Sequence, residues 1–282
     1  MNISQPLRDM TGSQSVDRAL ALLSIVGRHA DRGASLSELV AETELNKPTA
    51  RRLLLALMRA GLIEQDEASR LYFLGEETFV LGSLASRRYG LLQLAMESLQ
   101  RLSRRTEDSS FLSVPRGTNS VCLYREEGTY PVRTHALQAG FEHPLGVGAG
   151  SLAMLSALPD DEVEAMLQAN ERTLAEHYPM LAADRIRQDV AATRANGYSL
   201  NPGLIYANSW GVGVAIRNAE GRPVGALSVA AIDNRLQPAR QLEIAGYLRD
   251  EARRVEDKLG QMFGTRNNAG PRGNGKQTNR RP

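Results

Sequence analysis

Apolar side chains at Val16, Ala19, Leu20, Leu22, Leu23 and Val26 recur at the spacing of one helix face. They predict an amphipathic helix over residues 15–29. After an Asp31-Arg32-Gly33 turn, Ser35 stands three residues before Glu38, the pattern of a capping box, and Leu36, Leu39, Val40 and Leu45 follow as the apolar face of a short second helix. Asn46 offers another N-cap, with Pro48 in the first turn, where its missing N–H has no intrahelical partner anyway. A third helix is expected from there to Ala60, with Ala50, Leu53, Leu54, Leu57 and Met58 inward and Gly61 at its close. Residues 62–65 and 70–74 then read as the strands of a small hairpin around an Asp66-Glu67-Ala68-Ser69 turn.

From Glu76 to about Thr106 the helical period returns, with a break expected at Tyr89-Gly90. The rest reads as one α/β unit. Strands are expected at 111–115 and 121–124, with a further extended stretch at 132–137. A glycine-rich loop over 144–151 leads into a helix to Leu158, and helices follow over 159–169 and 184–196. Strands at 212–217 and 224–232 flank an Asn218-Ala219-Glu220-Gly221 turn, and a closing helix spans 238–263. The expected organisation is α+β: an arm at 1–14, a three-helix and hairpin domain at 15–77, a linker helix region at 78–104, an α/β domain at 105–263 and a tail at 264–282.

Charge refines this division. Residues 1–89 carry 11 basic and 11 acidic side chains, residues 90–263 carry 18 and 21, and residues 264–282 carry five and none. A net charge of +2 therefore owes much to the tail, whose four Gly, four Asn and two Pro without apolar periodicity predict disorder. No apolar run approaches the roughly 20 residues of a membrane span, and the opening residues lack the basic and apolar regions of a secretory signal. The expectation is a cytoplasmic protein with no membrane partner. The one cysteine, Cys122, excludes an intrachain disulfide and reads as a small buried hydrophobe. The four histidines lack metal-ligand spacing, so no metal or cofactor is expected, and His135 and His143 read as packing or surface groups.

Three helices followed by a hairpin is the order of a winged helix-turn-helix. In that arrangement the third helix presents its first turns to base edges in the major groove. Lys47, Thr49, Arg51 and Arg52 occupy those turns, and Arg70 lies at the wing. Arginine and lysine suit guanine and phosphate, while threonine suits a hydrogen bond or a thymine methyl.

The chain resembles the IclR family of bacterial transcriptional regulators. The resemblance rests on residues 15–23 (SVDRALALL), 36–39 (LSEL), 45–54 (LNKPTARRLL), 61–63 (GLI) and 70–75 (RLYFLG), and resumes at Gly197-Tyr198 and over 221–229 (GRPVGALSV). It implies a DNA-binding domain, a linker helix and an effector-sensing domain. It also implies a homodimer or dimer of dimers on palindromic double-stranded DNA, often near catabolic genes. Where many members carry a histidine after Pro-Leu, this chain has Gly146, and where they carry Gly-Lys it has Gly150-Ser151. The stretch in which members usually show acidic residues and then a cysteine here runs through Tyr206, Asn208 and Trp210.

Those departures point to a small organic acid effector, with an aromatic carboxylic acid as the specific expectation. Its acid group would meet helix N–H groups near Gly148, Gly150 and Ser151, its ring would meet Trp210, and Tyr206 and Asn208 would orient it. The loop over 144–151 lacks the ending of a P-loop, and Ser151 is not in a nucleophile elbow. The expected function is thus effector-controlled regulation without catalysis. A small-molecule enzyme with a DNA-binding domain, and a DNA-associated scaffold without a ligand pocket, stay open as alternatives.

Overall fold

The computed structural model describes residues 14–30, 32–86, 90–132 and 137–267. The arm through residue 13, Tyr89 at the expected break, His135 with most of the 132–137 stretch, and the tail from residue 268 lie outside the described residues.

Helices α1 (Gln14–Arg28), α2 (Leu36–Thr43) and α3 (Lys47–Arg59) precede a hairpin of β1 (Ile63–Gln65) and β2 (Tyr72–Leu74). Local chemistry sets each boundary. The Ser35 Oγ accepts from the Glu38 N–H at 3.3 Å while the Glu38 carboxylate accepts from the Ser35 N–H at 2.8 Å. Glu44 ends α2 in the left-handed region at φ 56°. Asn46 Oδ1 accepts from the Thr49 N–H at 2.9 Å and starts α3. Leu22, Val26, Leu39, Leu54, Leu57 and Ile63 converge on one buried core.

Helix α4 (Glu76–Ser86) follows, and α5 (Leu91–Thr106) begins at Leu91. The apolar run over 79–102 divides between them. Leu91 and Leu99 are buried in the second domain, whereas Phe79, Leu81 and Leu84 on α4 are 75%, 50% and 63% exposed.

The second domain is built on a six-stranded sheet of order β5-β4-β3-β8-β7-β6, antiparallel at every pairing. Its strands are β3 (Ser109–Arg116), β4 (Asn119–Glu126), β5 (Glu142–Pro144), β6 (Ser199–Pro202), β7 (Ser209–Arg217) and β8 (Pro223–Ile232). One face packs on α5 and α9 (Pro238–Asn267) through Leu112, Val212, Leu227, Val229, Leu248 and Val255. The other face carries α6 (Ala149–Ser156), α7 (Asp160–His177) and α8 (Ala183–Asn196), joined by Leu155, Leu167, Ile186 and Ala226. Cys122 is buried, as its apolar strand predicts.

Two helix ends and two strands depart from the pattern-based reading. Helix α7 runs past Ala169 to His177 because Asn170 is an inward anchor rather than a stop, its Nδ2 donating to the Thr118 carbonyl at 2.7 Å. Helix α9 continues past Phe263 to Asn267, with no proline before Pro271 to end it sooner. Strands β5 and β6 were not expected, since both are short edge strands whose proline and polar residues hide the two-residue period.

Candidate DNA interface and ligand cavity

On the first domain, α3 turns Lys47, Arg51, Arg52, Leu55 and Arg59 to solvent while Ala50, Leu53, Leu54 and Leu57 are buried. Thr49 is half-buried beside the cap. Lys47, Arg51 and Arg52 form no ion pair among the described residues. This contrasts with Arg28 and Arg32, which are held by Glu42 and Glu38. Three cations without counter-ions on the leading turns of one helix are an anion-attracting surface. Arg70 is exposed in the wing turn, in the left-handed region at φ 61°. The turn is fixed around it. Asp66 accepts from the Ser69 N–H and hydroxyl at 2.7 and 2.6 Å, and Gln65 donates to the Arg70 carbonyl at 2.8 Å.

On the second domain, a cavity of about 60 Å³ lies between the sheet and the start of α6, several times the space one water requires. Two glycines make this geometry. A Cβ on Gly213 would stand 2.6 Å from the Ala149 carbonyl oxygen, so only glycine lets α6 begin directly on β7. Gly146, at φ 101°, would drive a Cβ to within 2.9 Å of Ile186. Ser151 then staples the loop, its Oγ accepting from the Gly146 N–H and donating to the Pro144 carbonyl, both at 3.1 Å. All eight residues of α6 are buried, and no side chain caps its first turn. Gly148, Ala149, Gly150 and Ser151 at the start of α6 line the cavity, which places it beside the positive end of the helix dipole.

Gly148, Gly150 and Ser151, expected at the effector's acid group, line this cavity, although the Ser151 hydroxyl is already engaged in the loop. Tyr206 and Asn208 do not line it; both are exposed, in a turn that places Asn208 at φ 64°. Trp210 borders the cavity but packs against the α5–α9 core, because strand alternation gives the cavity side to Gly211 and Gly213. The aromatic wall is Phe111 of β3, on the same face as Ser113. Leu137, Val147 and Ile205 complete the apolar lining, and Ser113, Ser120, Ser209, Ser228 and Asn201 supply polar groups. Among the described residues, no Lys, Arg, Asp or Glu lines it.

His143, read from the sequence as a packing or surface group, also lines the cavity. Its Nδ1 shares a 2.8 Å hydrogen bond with the Tyr178 hydroxyl, and its buried Nε2 has no partner. Burial depresses its pKa from the ordinary 6.5 to about 4. The unfolded chain therefore takes up a proton below about pH 6.5 that the fold refuses. The contribution of His143 is intact above that pH and is lost as pH falls towards about 4. Melting temperatures measured from pH 7 to 4 should fall less for His143→Phe than for wild type. Parallel curves would refute the assignment.

Two family models match this geometry: the IclR helix-turn-helix domain over residues 15–67 and the bacterial transcriptional regulator IclR C-terminal domain over residues 84–257. The regulator KipR of Bacillus subtilis is 25% identical over 248 residues, covering 88% of this chain and 98% of KipR. An IclR transcriptional regulator from Alicyclobacillus acidocaldarius superposes with a TM-score of 0.72 at 22% identity, covering 87% of this chain and 98% of that one. An IclR homologue from Microbacterium hydrocarbonoxydans, complexed with 4-hydroxybenzoate, superposes with a TM-score of 0.68 at 22% identity, covering 87% and 98%. With both domains matched in order along one chain, the protein belongs to the IclR family of DNA-binding transcriptional regulators.

Proposed function

We propose that this regulator holds a palindromic operator as a homodimer or dimer of dimers. An organic acid bound between the sheet and α6 shifts its hold on DNA. The observation that carries the reading is the solvent face of α3, where Lys47, Arg51 and Arg52 have no counter-ion among the described residues, on a capped helix of a winged domain. The first domain carries no net charge over residues 1–89, so two copies on inverted half-sites suit it better than one. The exposed Phe79, Leu81 and Leu84 of α4 suit burial between copies.

Two features favour an acid as effector. The uncapped, buried start of α6 suits a carboxylate, and among the described residues no charged side chain lines the cavity to compete for it. Phe111, Val147 and Ile205 suit an apolar or aromatic body, which is the chemistry of the 4-hydroxybenzoate held by the Microbacterium relative. Such a ligand regulates only by binding the DNA-competent and DNA-incompetent forms unequally.

Genome-wide mapping of bound DNA tests the proposal, followed by footprinting of the full chain on a mapped site while carboxylic acids are titrated. Protected inverted half-sites and an acid-dependent change in occupancy are expected. Specific protection that no acid alters would leave a DNA-binding protein without this control. Uniform binding to all sequences would overturn the operator reading.

A further inference from the structure

His143 stands apart from the rest of the cavity wall. It lies on β5, two residues before Leu145, while the position after Leu145 is Gly146. Its ring is fixed from behind by Tyr178, which meets Nδ1 at 2.8 Å and packs edge-on at 5.9 Å between ring centroids. Its Nε2 is buried and unpartnered at the cavity lining. The cross-strand register sets His143 opposite Ser120 of β4, and Ser120 lines the same cavity. Buried polar atoms in native proteins find partners, and an orphan in a cavity wall is supplied by what occupies the cavity.

We propose that His143 Nε2, with Ser120 beside it, reads a neutral hydroxyl on the effector, so that the preferred ligand is a hydroxylated organic carboxylate. This rests on the effector reading above and deepens it. The ring stays uncharged at neutral pH because burial resists its protonation. Among the described residues, no Lys or Arg lines the cavity to meet a second anionic group at Nε2. A hydroxyl meets the ring in either tautomer. It donates when the proton is on Nδ1 and accepts when the proton is on Nε2. The carboxylate goes to the uncapped start of α6, and the hydroxyl to the β4–β5 side of the cavity. A site with a buried hydrogen-bonding atom rejects the analogue that leaves it unpaired.

Calorimetric titration of the full chain with benzoate against 4-hydroxybenzoate, and with propionate against lactate, tests this. In at least one pair wild type should prefer the hydroxylated member about tenfold, the effect of one neutral hydrogen bond. In His143→Phe the preference should vanish while the plain acid binds within about threefold of wild type, and His143→Gln, which keeps a donor and an acceptor, should restore part of it. Equal binding within each pair by wild type, or a preference that survives His143→Phe, overturns the proposal while leaving the acid effector intact. If no member of either pair binds, the small-acid reading fails with it. The wild-type ratios decide the question even if His143→Phe does not fold.

Discussion

Replacing Arg235 with alanine should destabilise the protein by about 3–5 kcal/mol, the usual cost of removing one partner of a buried ion pair. The Asp108 side chain is 2% exposed and lies where α5 passes into β3. Arg235, in the 3-10 turn Asp233–Arg235 after β8, grips it through Nε at 2.9 Å and NH2 at 3.1 Å. The same guanidinium donates to the Thr106 carbonyl at 2.9 Å and stacks on Tyr130 at 3.7 Å. One side chain thus ties the end of α5, the start of β3 and the exit from β8.

Burial pushes the Asp108 carboxyl above its ordinary pKa, and Arg235 opposes that push. Without Arg235 the upward push is unopposed by its nearest cation. A group with a raised folded pKa stabilises the fold below its unfolded pKa and ceases to as pH rises through the folded one. The Arg235→Ala deficit in urea unfolding should therefore shrink at acid pH. The double variant Asp108→Asn/Arg235→Met should recover much of the loss, because no uncompensated charge stays buried. A deficit under about 1 kcal/mol, the value of a solvent-exposed pair, would show that the bridge is energetically superficial.

That bridge was not legible in the sequence, since its partners are 127 residues apart and neither belongs to a local pattern. The winged domain was legible because its signals are local. The Ser35–Glu38 box, the Asn46 cap and the leucine face of α3 each lie within a few residues of what they determine. Its candidate contacts could therefore be placed by counting turns. The cavity is the opposite case. It gathers a few residues each from β3, β4, β5, β6, α6, β7 and β8, and many of them are small or polar side chains that carry no periodic signal.

Trp210 shows how this misleads. Composition singled it out, yet one step of strand register gives the cavity to its neighbour Gly211. Tyr206 and Asn208 were drawn in by proximity in sequence to Trp210, and the turn carries both outward. His143 reads from the sequence only as a packing or surface group. Its short edge strand gives no periodic signal that would have turned it inward.

Arg51→Ala and Arg52→Ala should each weaken binding to a mapped operator by about 1–3 kcal/mol, roughly 5- to 150-fold, if the lost contact is bidentate to guanine. The residues qualify on three counts. They stand in the leading turns of α3, they are exposed, and no carboxylate holds them among the described residues. The opposite side of the helix is anchored by Leu53, Leu54 and Leu57 in the domain core, so truncating either arginine removes a surface contact without loosening the scaffold. Melting temperature should accordingly stay near wild type. Competition with scrambled DNA separates the two roles an arginine can play. A base-reading arginine loses affinity for the operator and spares nonspecific binding. A phosphate-binding one lowers both alike and reduces the slope of log affinity against log salt by about 1. Lys47→Ala, nearest the start of the helix, should follow the phosphate pattern, as a compact ammonium lacks the bidentate fork. Wild-type affinity in all three variants would remove α3 as the reading helix.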